Sequence, residues 1–169
     1  MTARYLDFER MKHAVSQLVQ KGEELSQIEP DVYYSARKWT PIKLKLLMDY
    51  VHMYSVIMKT HTRIYSRFIY VDPLAGAGIN RIEDTGDLIA GSPLISVVSS
   101  ENLFEKYFFA EADAKKRKAL QARLEKLLPL GQFEIKEDCN NLLDYVSELL
   151  AQGNKKLTTY FLLIVKELK

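Results

Sequence analysis

Cysteine is nearly absent from this chain, and the single one, Cys139, cannot form an internal disulfide or build a cysteine-based zinc or iron–sulfur site by itself. Charge of one sign is also lacking: the net charge is +2 over 169 residues, which gives no global electrostatic pull on nucleic acid. No apolar run approaches the roughly 18 residues that span a membrane, and Met1–Asp7 has no apolar signal-peptide core. The expectation is a cytoplasmic chain with no membrane partner. Repeats and low-complexity tracts are missing as well. His13, His52 and His61 lie on helical stretches without metal-ligand spacing, so no metal is assigned. Ser92 lacks the flanking glycines of a nucleophile elbow. What is present is an apolar fraction of 47% beside 27% charged residues, the composition of a soluble globular protein with a real core.

The hydrophobic period changes once along the chain. From Tyr5 to about Glu24, apolar residues recur at helical spacing; Gly22 loosens the last turn and Pro30 closes the segment. Residues 31–40 read as a polar-aromatic connector, in which Thr40 caps a second helix and Pro41 starts it. That helix, to about Met58, is apolar on most faces and is expected to pack deeply against a sheet. After Tyr65, strands and helices alternate, which predicts a parallel, doubly wound sheet. The strands are read at Arg67–Asp72, Tyr107–Glu111, Gln132–Lys136 and Thr158–Val165, and the helices at Pro93–Ser100, Ala114–Leu128 and Asn140–Gln152. Two parts follow: a helical extension over 1–65 and a Rossmann-like portion over 66–169. The stretch Ile79–Gly91 reads as a long insertion, of the length that often serves as a lid or binding loop.

The richest segment is Tyr70-Val71-Asp72-Pro73-Leu74-Ala75-Gly76-Ala77-Gly78. A buried strand ends in an acid, and two glycines follow four and six residues later. Open α/β sheets build nucleotide pockets at such edges, because glycine lets the backbone turn and approach a ligand closely. Asp72 is expected to face that ligand. Arg81 stands where a dinucleotide fingerprint would place its third glycine, which weakens an NAD-type reading. An acid, three spacers and Gly-x-Gly resemble instead the first motif of class I S-adenosylmethionine-dependent methyltransferases. In Gly91-Ser92-Pro93-Leu94, Ser92 can cap a helix whose free N–H groups favour an anion. Glu111 ends the second strand where a carboxylate can accept both ribose hydroxyls. Asp138, after the third strand, can accept from an adenine amino group, and Asp138 or Asn140 can cap the next helix; the two roles are not exclusive. Lys115–Lys118 read as a solvated helix face, while Arg63, Arg67 and Arg81 near the glycine turn give a hint of a phosphate-bearing, nucleic-acid substrate.

At this point the chain resembles the three-Cys-motif partner family, a methyltransferase-like group. The resemblance rests on Trp39, Lys43-Leu44 and Tyr50, then on Tyr70–Gly78, Gly91–Leu94, Phe108–Asp113 and Asp138–Asn140. It implies an incomplete three-layer α/β/α methyltransferase sheet of about four parallel strands with an N-terminal helical extension. It also implies an S-adenosylmethionine pocket in which Asp72, Gly76 and Gly78 line the methionine side, Glu111 the ribose and Asp138 the adenine. Pro73, Ala75, Ser92, Ala112 and Cys139 complete the expected cofactor-binding set. The partners it implies are a cysteine-motif protein and an unidentified substrate; nucleic acid is a candidate acceptor. Family members continue into an aspartate-proline loop after the fourth strand, where this chain carries Lys166 and soon stops, so a truncated domain of uncertain competence is expected. An incomplete sheet leaves unpaired edges, which suit a homodimer. The alternative function is a non-catalytic nucleotide-binding or protein-interaction module.

Overall fold

The computed structural model describes residues 8–61, 67–152 and 158–162. Two sheets organise them. The larger contains β2 (Arg67–Asp72), β5 (Lys106–Ala110), β6 (Phe133–Lys136) and β7 (Thr158–Leu162), in the order β6-β5-β2-β7. Every neighbouring pair in it is parallel, with Val71 opposite both Phe108 and Leu162. The expected fourth strand therefore forms as far as Leu162; residues 163–165, and Lys166 in the argument for truncation, lie outside the described residues.

The period of two in β2 divides its side chains between two cores. Phe68 and Tyr70 enter one core with Leu44, Leu47 and Val51 of α2 (Thr40–Lys59), Leu94 and Ile95 of α3 (Ser92–Ser99), and Leu120 and Leu124 of α4 (Ala114–Leu127). Ile69 and Val71 enter the other with Leu142 and Val146 of α5 (Cys139–Gln152). Helices therefore cover both faces, as a parallel sheet requires. Tyr70, Phe104, Tyr107 and Phe109 form the centre of the first core, with ring centroids 5.5–6.3 Å apart. The chain is an α/β protein with mostly parallel sheets, and no helix among the described residues is long and apolar enough to cross a membrane.

The second sheet corrects the sequence reading at two places. Residues 31–40 are not only a connector, because Tyr34–Ala36 form β1; Ile79–Gly91 are not a loose lid, because they hold β3 (Ile79–Ile82) and β4 (Leu88–Ala90). These two form an antiparallel hairpin, and β1 adds to β3 in parallel, with Ser35 opposite Arg81. Ile79, Ile82 and Ile89 are buried, so apolar burial holds the excursion down. Its ends are drawn together where the Gly91 N–H donates to the Gly78 carbonyl at 2.8 Å. The helix α1 (Phe8–Ser26) lies across β4, so the segments before and after residue 65 share one sheet and one core. Residues 5–7 of the expected first helix lie outside the described residues.

Three local readings also change. Gly22 is a close-packing site: a Cβ there would lie 2.4 Å from the Leu88 carbonyl oxygen. The caps shift by one residue, since α2 is capped at Trp39 and α3 at Gly91, with Thr40 and Ser92 already helical and neither cap residue donating or accepting through its side chain. Finally, α2 buries one face only; Ile42, Leu46, Tyr50, Met53 and Ile57 are exposed.

Candidate functional site

Strand order reverses at β2: β5 and β6 lie on one side and β7 on the other. Ligands of open α/β sheets gather at the carboxyl ends of strands near such a reversal. A cleft of about 660 Å³ opens there, within the size range of small-molecule sites. Its floor is the turn after β2, with Pro73, Ala75, Gly76 and Gly78, and the end of β5, with Glu111 and Ala112. Asp138 and Cys139 after β6 form one end, and Ser92 at the start of α3 another. The opposite wall is α2 and β1, through Lys43, Leu44, Leu46, Leu47 and Tyr34.

Each floor residue has a physical reason for its place. The glycine turn is pinned to β5 by the Ala75 N–H, which donates to the Ala110 carbonyl at 3.0 Å. Gly76 and Gly78 have φ of +65° and +81°, where a side chain is strained. They differ in surroundings: a Cβ on Gly78 would meet Leu120 Cδ1 at 3.0 Å, whereas one on Gly76 would meet nothing within 4 Å. Gly78 is therefore needed for packing as well as for the turn. Gly76 presents open backbone to the cleft.

Glu111 and Asp138 reach the cleft as carboxylates partly engaged by backbone. Glu111 Oε1 accepts from the Asp113 N–H at 2.8 Å, and Asp138 Oδ1 accepts from the Asn140 N–H at 2.6 Å. Of the two roles read for Asp138, capping the next helix is thus present, and its place in the cleft leaves Oδ2 for a ligand. Asp113 caps α4 by accepting from the N–H groups of Lys115 and Lys116, so the chain after Glu111 is fixed. Arg117 braces the same corner, donating to the Glu111 carbonyl and to Glu137 Oε1, both at 2.8 Å.

Asp72 is the correction. Expected to face a ligand, it is 2% exposed and does not line the cleft. Its Oδ2 accepts from Ser92 Oγ at 2.7 Å and its Oδ1 from the Leu74 N–H at 3.1 Å. Burial pushes its pKa up to about 6, against those two hydrogen bonds. Asp72 therefore holds the turn and the start of α3 together from beneath. The other nine expected cofactor-binding residues line the cleft.

The sequence reading missed Arg123, which is fully buried. Its guanidinium donates to the carbonyls of Ile28, Glu29 and Val32 and, at 2.6 Å, to that of Ala77 between the two glycines. One side chain thereby ties α4 and the segment after α1 to the turn under the cleft. Burial lowers its pKa to about 10, so it stays charged at neutral pH. The available signal was an arginine inside the apolar stripe of α4, with Ala119, Leu120 and Leu124, where a solvated charge does not belong. The sequence reading also passed over Tyr34, Leu46, Leu47 and Asn80, which belong to the far wall and rim.

No protein-family model matches the chain, and no curated protein or solved structure shows significant similarity to it. The cleft can hold a ligand of nucleoside size, with hydrogen-bond acceptors at the ends of two successive strands and an apolar wall opposite.

Proposed function

We propose that this chain carries the cofactor-binding part of an S-adenosylmethionine-dependent methyltransferase-like protein of Rossmann-like fold, akin to the three-Cys-motif partner group. One observation supports this most: Glu111 and Asp138, from the ends of adjacent strands, share a cleft with an open glycine turn that has a buried carboxylate beneath it. The turn, Pro73-Leu74-Ala75-Gly76-Ala77-Gly78, carries no lysine or arginine. A nucleoside triphosphate site needs cations on its phosphates; the turn offers none, Lys43 stands on the facing wall, and Asp72 below the turn would oppose those phosphates. A nucleoside joined to a zwitterionic amino acid through a sulfonium suits the same surface, because its net charge is positive.

In that pose Glu111 Oε2 accepts from ribose hydroxyls and Asp138 Oδ2 from the adenine amino group. Gly76 allows close approach of the methionine part, and the first N–H groups of α3 favour its carboxylate. When bound, S-adenosylmethionine supplies the electrophilic methyl group; the residues of this chain hold it and shield it from water. Isothermal titration calorimetry of the full chain with S-adenosylmethionine, S-adenosylhomocysteine and ATP tests the reading. The first two are expected to bind and ATP is not. Glu111→Ala is expected to weaken binding by about tenfold to a hundredfold, the worth of a lost charge-assisted hydrogen bond. Tighter binding of ATP than of S-adenosylhomocysteine would replace this reading with that of a nucleotide-binding module.

A further inference from the structure

The lip of the cleft differs from its interior. On and beside β1, three aromatic rings each carry a cation. Lys116 Nζ lies 5.2 Å from the centroid of Tyr34 and Arg37 Cζ 5.3 Å from Trp39; on the other face of the small sheet from Tyr34, Arg81 Cζ lies 5.3 Å from Tyr33, whose hydroxyl accepts from Arg81 at 2.8 Å. Tyr34 and Trp39 are 38% and 39% exposed. Tyr34 lines the cleft itself, as does Lys43 one helical turn beyond Trp39. None of Arg37, Lys43, Arg81 and Lys116 forms a salt bridge to a carboxylate among the described residues. Asp113 is engaged by the first N–H groups of α4, which together with the Lys116 charge hold its carboxyl low, and Glu83 accepts from Ser35 Oγ. The lip is thus locally cationic, despite a net charge of only +2 for the chain.

We propose that this lip binds single-stranded nucleic acid and leads it to the cleft. Exposed rings beside cations that form no salt bridge match the two repeating parts of a strand: base faces stack on aromatic side chains while phosphates meet the charges. A duplex hides its base faces and cannot use the rings. A purely anionic partner needs the cations but not the aromatics. The inference rests on the cofactor reading of the cleft for its functional meaning, since the strand would carry the methyl acceptor. Its binding half does not, because Trp39, Arg37 and Arg81 do not line the cleft and the strand is titrated without cofactor.

The test uses the full chain without cofactor. Fluorescein-labelled 12-nucleotide single-stranded RNA, the same sequence as DNA, its duplex, and heparin are titrated by anisotropy, while emission is followed from Trp39, the only tryptophan. Either single strand is expected to bind and quench Trp39, with the duplex at least tenfold weaker; RNA and DNA are distinguished by which binds more tightly. Tyr34→Ala and Trp39→Ala are each expected to lower affinity at least fivefold, whereas Tyr34→Phe and Trp39→Phe, which keep a ring, retain most of it. Lys116→Gln is expected to reduce the slope of log affinity against log salt by about 0.7, one single-strand phosphate contact. Absence of single-strand binding overturns the proposal. So does equal binding of heparin or duplex with Trp39 emission unchanged. Cofactor titration in the calorimeter is a separate measurement, so failure of either reading is seen independently.

Discussion

Replacing Asp72 with asparagine probes the buried carboxylate beneath the glycine turn. The group keeps its shape and loses its charge. Asp72 is 2% exposed, and its pKa rises from an ordinary 3.8 to about 6 because burial disfavours the charged form more than the hydrogen bonds from Ser92 and Leu74 favour it. At 1.36 kcal/mol per pH unit this corresponds to about 3 kcal/mol. The sign follows from proton binding. Between pH 4 and 6 the folded chain retains a proton that the unfolded chain has lost, so the Asp72 contribution to stability is fully present below pH 4. It is lost as pH rises to about 6 and is flat above. The asparagine amide does not titrate in this range. The stability of D72N minus that of the parent should therefore grow by about 3 kcal/mol from pH 4 to pH 7. Urea unfolding followed by circular dichroism at half-unit steps of pH measures it, and taking the difference cancels every other titrating group. A difference that stays constant or shrinks with rising pH would refute the reasoning, since it would mean that Asp72 ionises as easily folded as unfolded.

Other substitutions test the scaffold of the site. Arg123→Met strands four carbonyls that now accept from the guanidinium, those of Ala77 and Val32 buried and those of Ile28 and Glu29 part-buried, so a loss of at least about 3 kcal/mol is expected in urea unfolding; a loss below about 1 kcal/mol would show that water replaces the arginine. Gly78→Ala combines a positive φ with a contact of 3.0 Å to Leu120, whereas Gly76→Ala has the positive φ alone. The first should cost about 2–3 kcal/mol and the second about 1 kcal/mol, and equal shifts in melting temperature would contradict the packing role given to Gly78.

Much of this arrangement was legible in the sequence where structure is local. The strands β2, β5, β6 and β7 and the helices α3, α4 and α5 are bounded by apolar runs, prolines and caps within a few residues of one another. The ends of those strands carry Glu111 and Asp138 to one edge because a parallel sheet aligns all its carboxyl ends, so a pattern of strand-end acids projects into space. The small sheet was not legible. Strands of three and four residues such as Tyr34–Ala36 and Ile79–Ile82 have too few alternations to register a period, and their partner strands lie far apart in sequence. Asp72 was misplaced for another reason. A strand-end acid that faces a ligand and one that turns beneath the loop to accept from Ser92 have the same sequence pattern, and only the position of α3 decides between them. The face that α2 buries was equally hidden, since Leu44 and Leu47 pack inward while Leu46, 58% exposed, does not. A helix apolar all round gives no moment to orient it.

The central claim is that one cleft, floored by the turn after β2 and the ends of β5 and β6, holds an adenosyl ligand. Amide chemical-shift mapping by two-dimensional NMR during titration with S-adenosylhomocysteine tests it directly. The account predicts that the largest shifts fall on Leu74–Gly78, Glu111–Ala112 and Glu137–Cys139 and saturate together. Absence of shifts at saturating ligand, or shifts confined to residues outside those three segments, would contradict it.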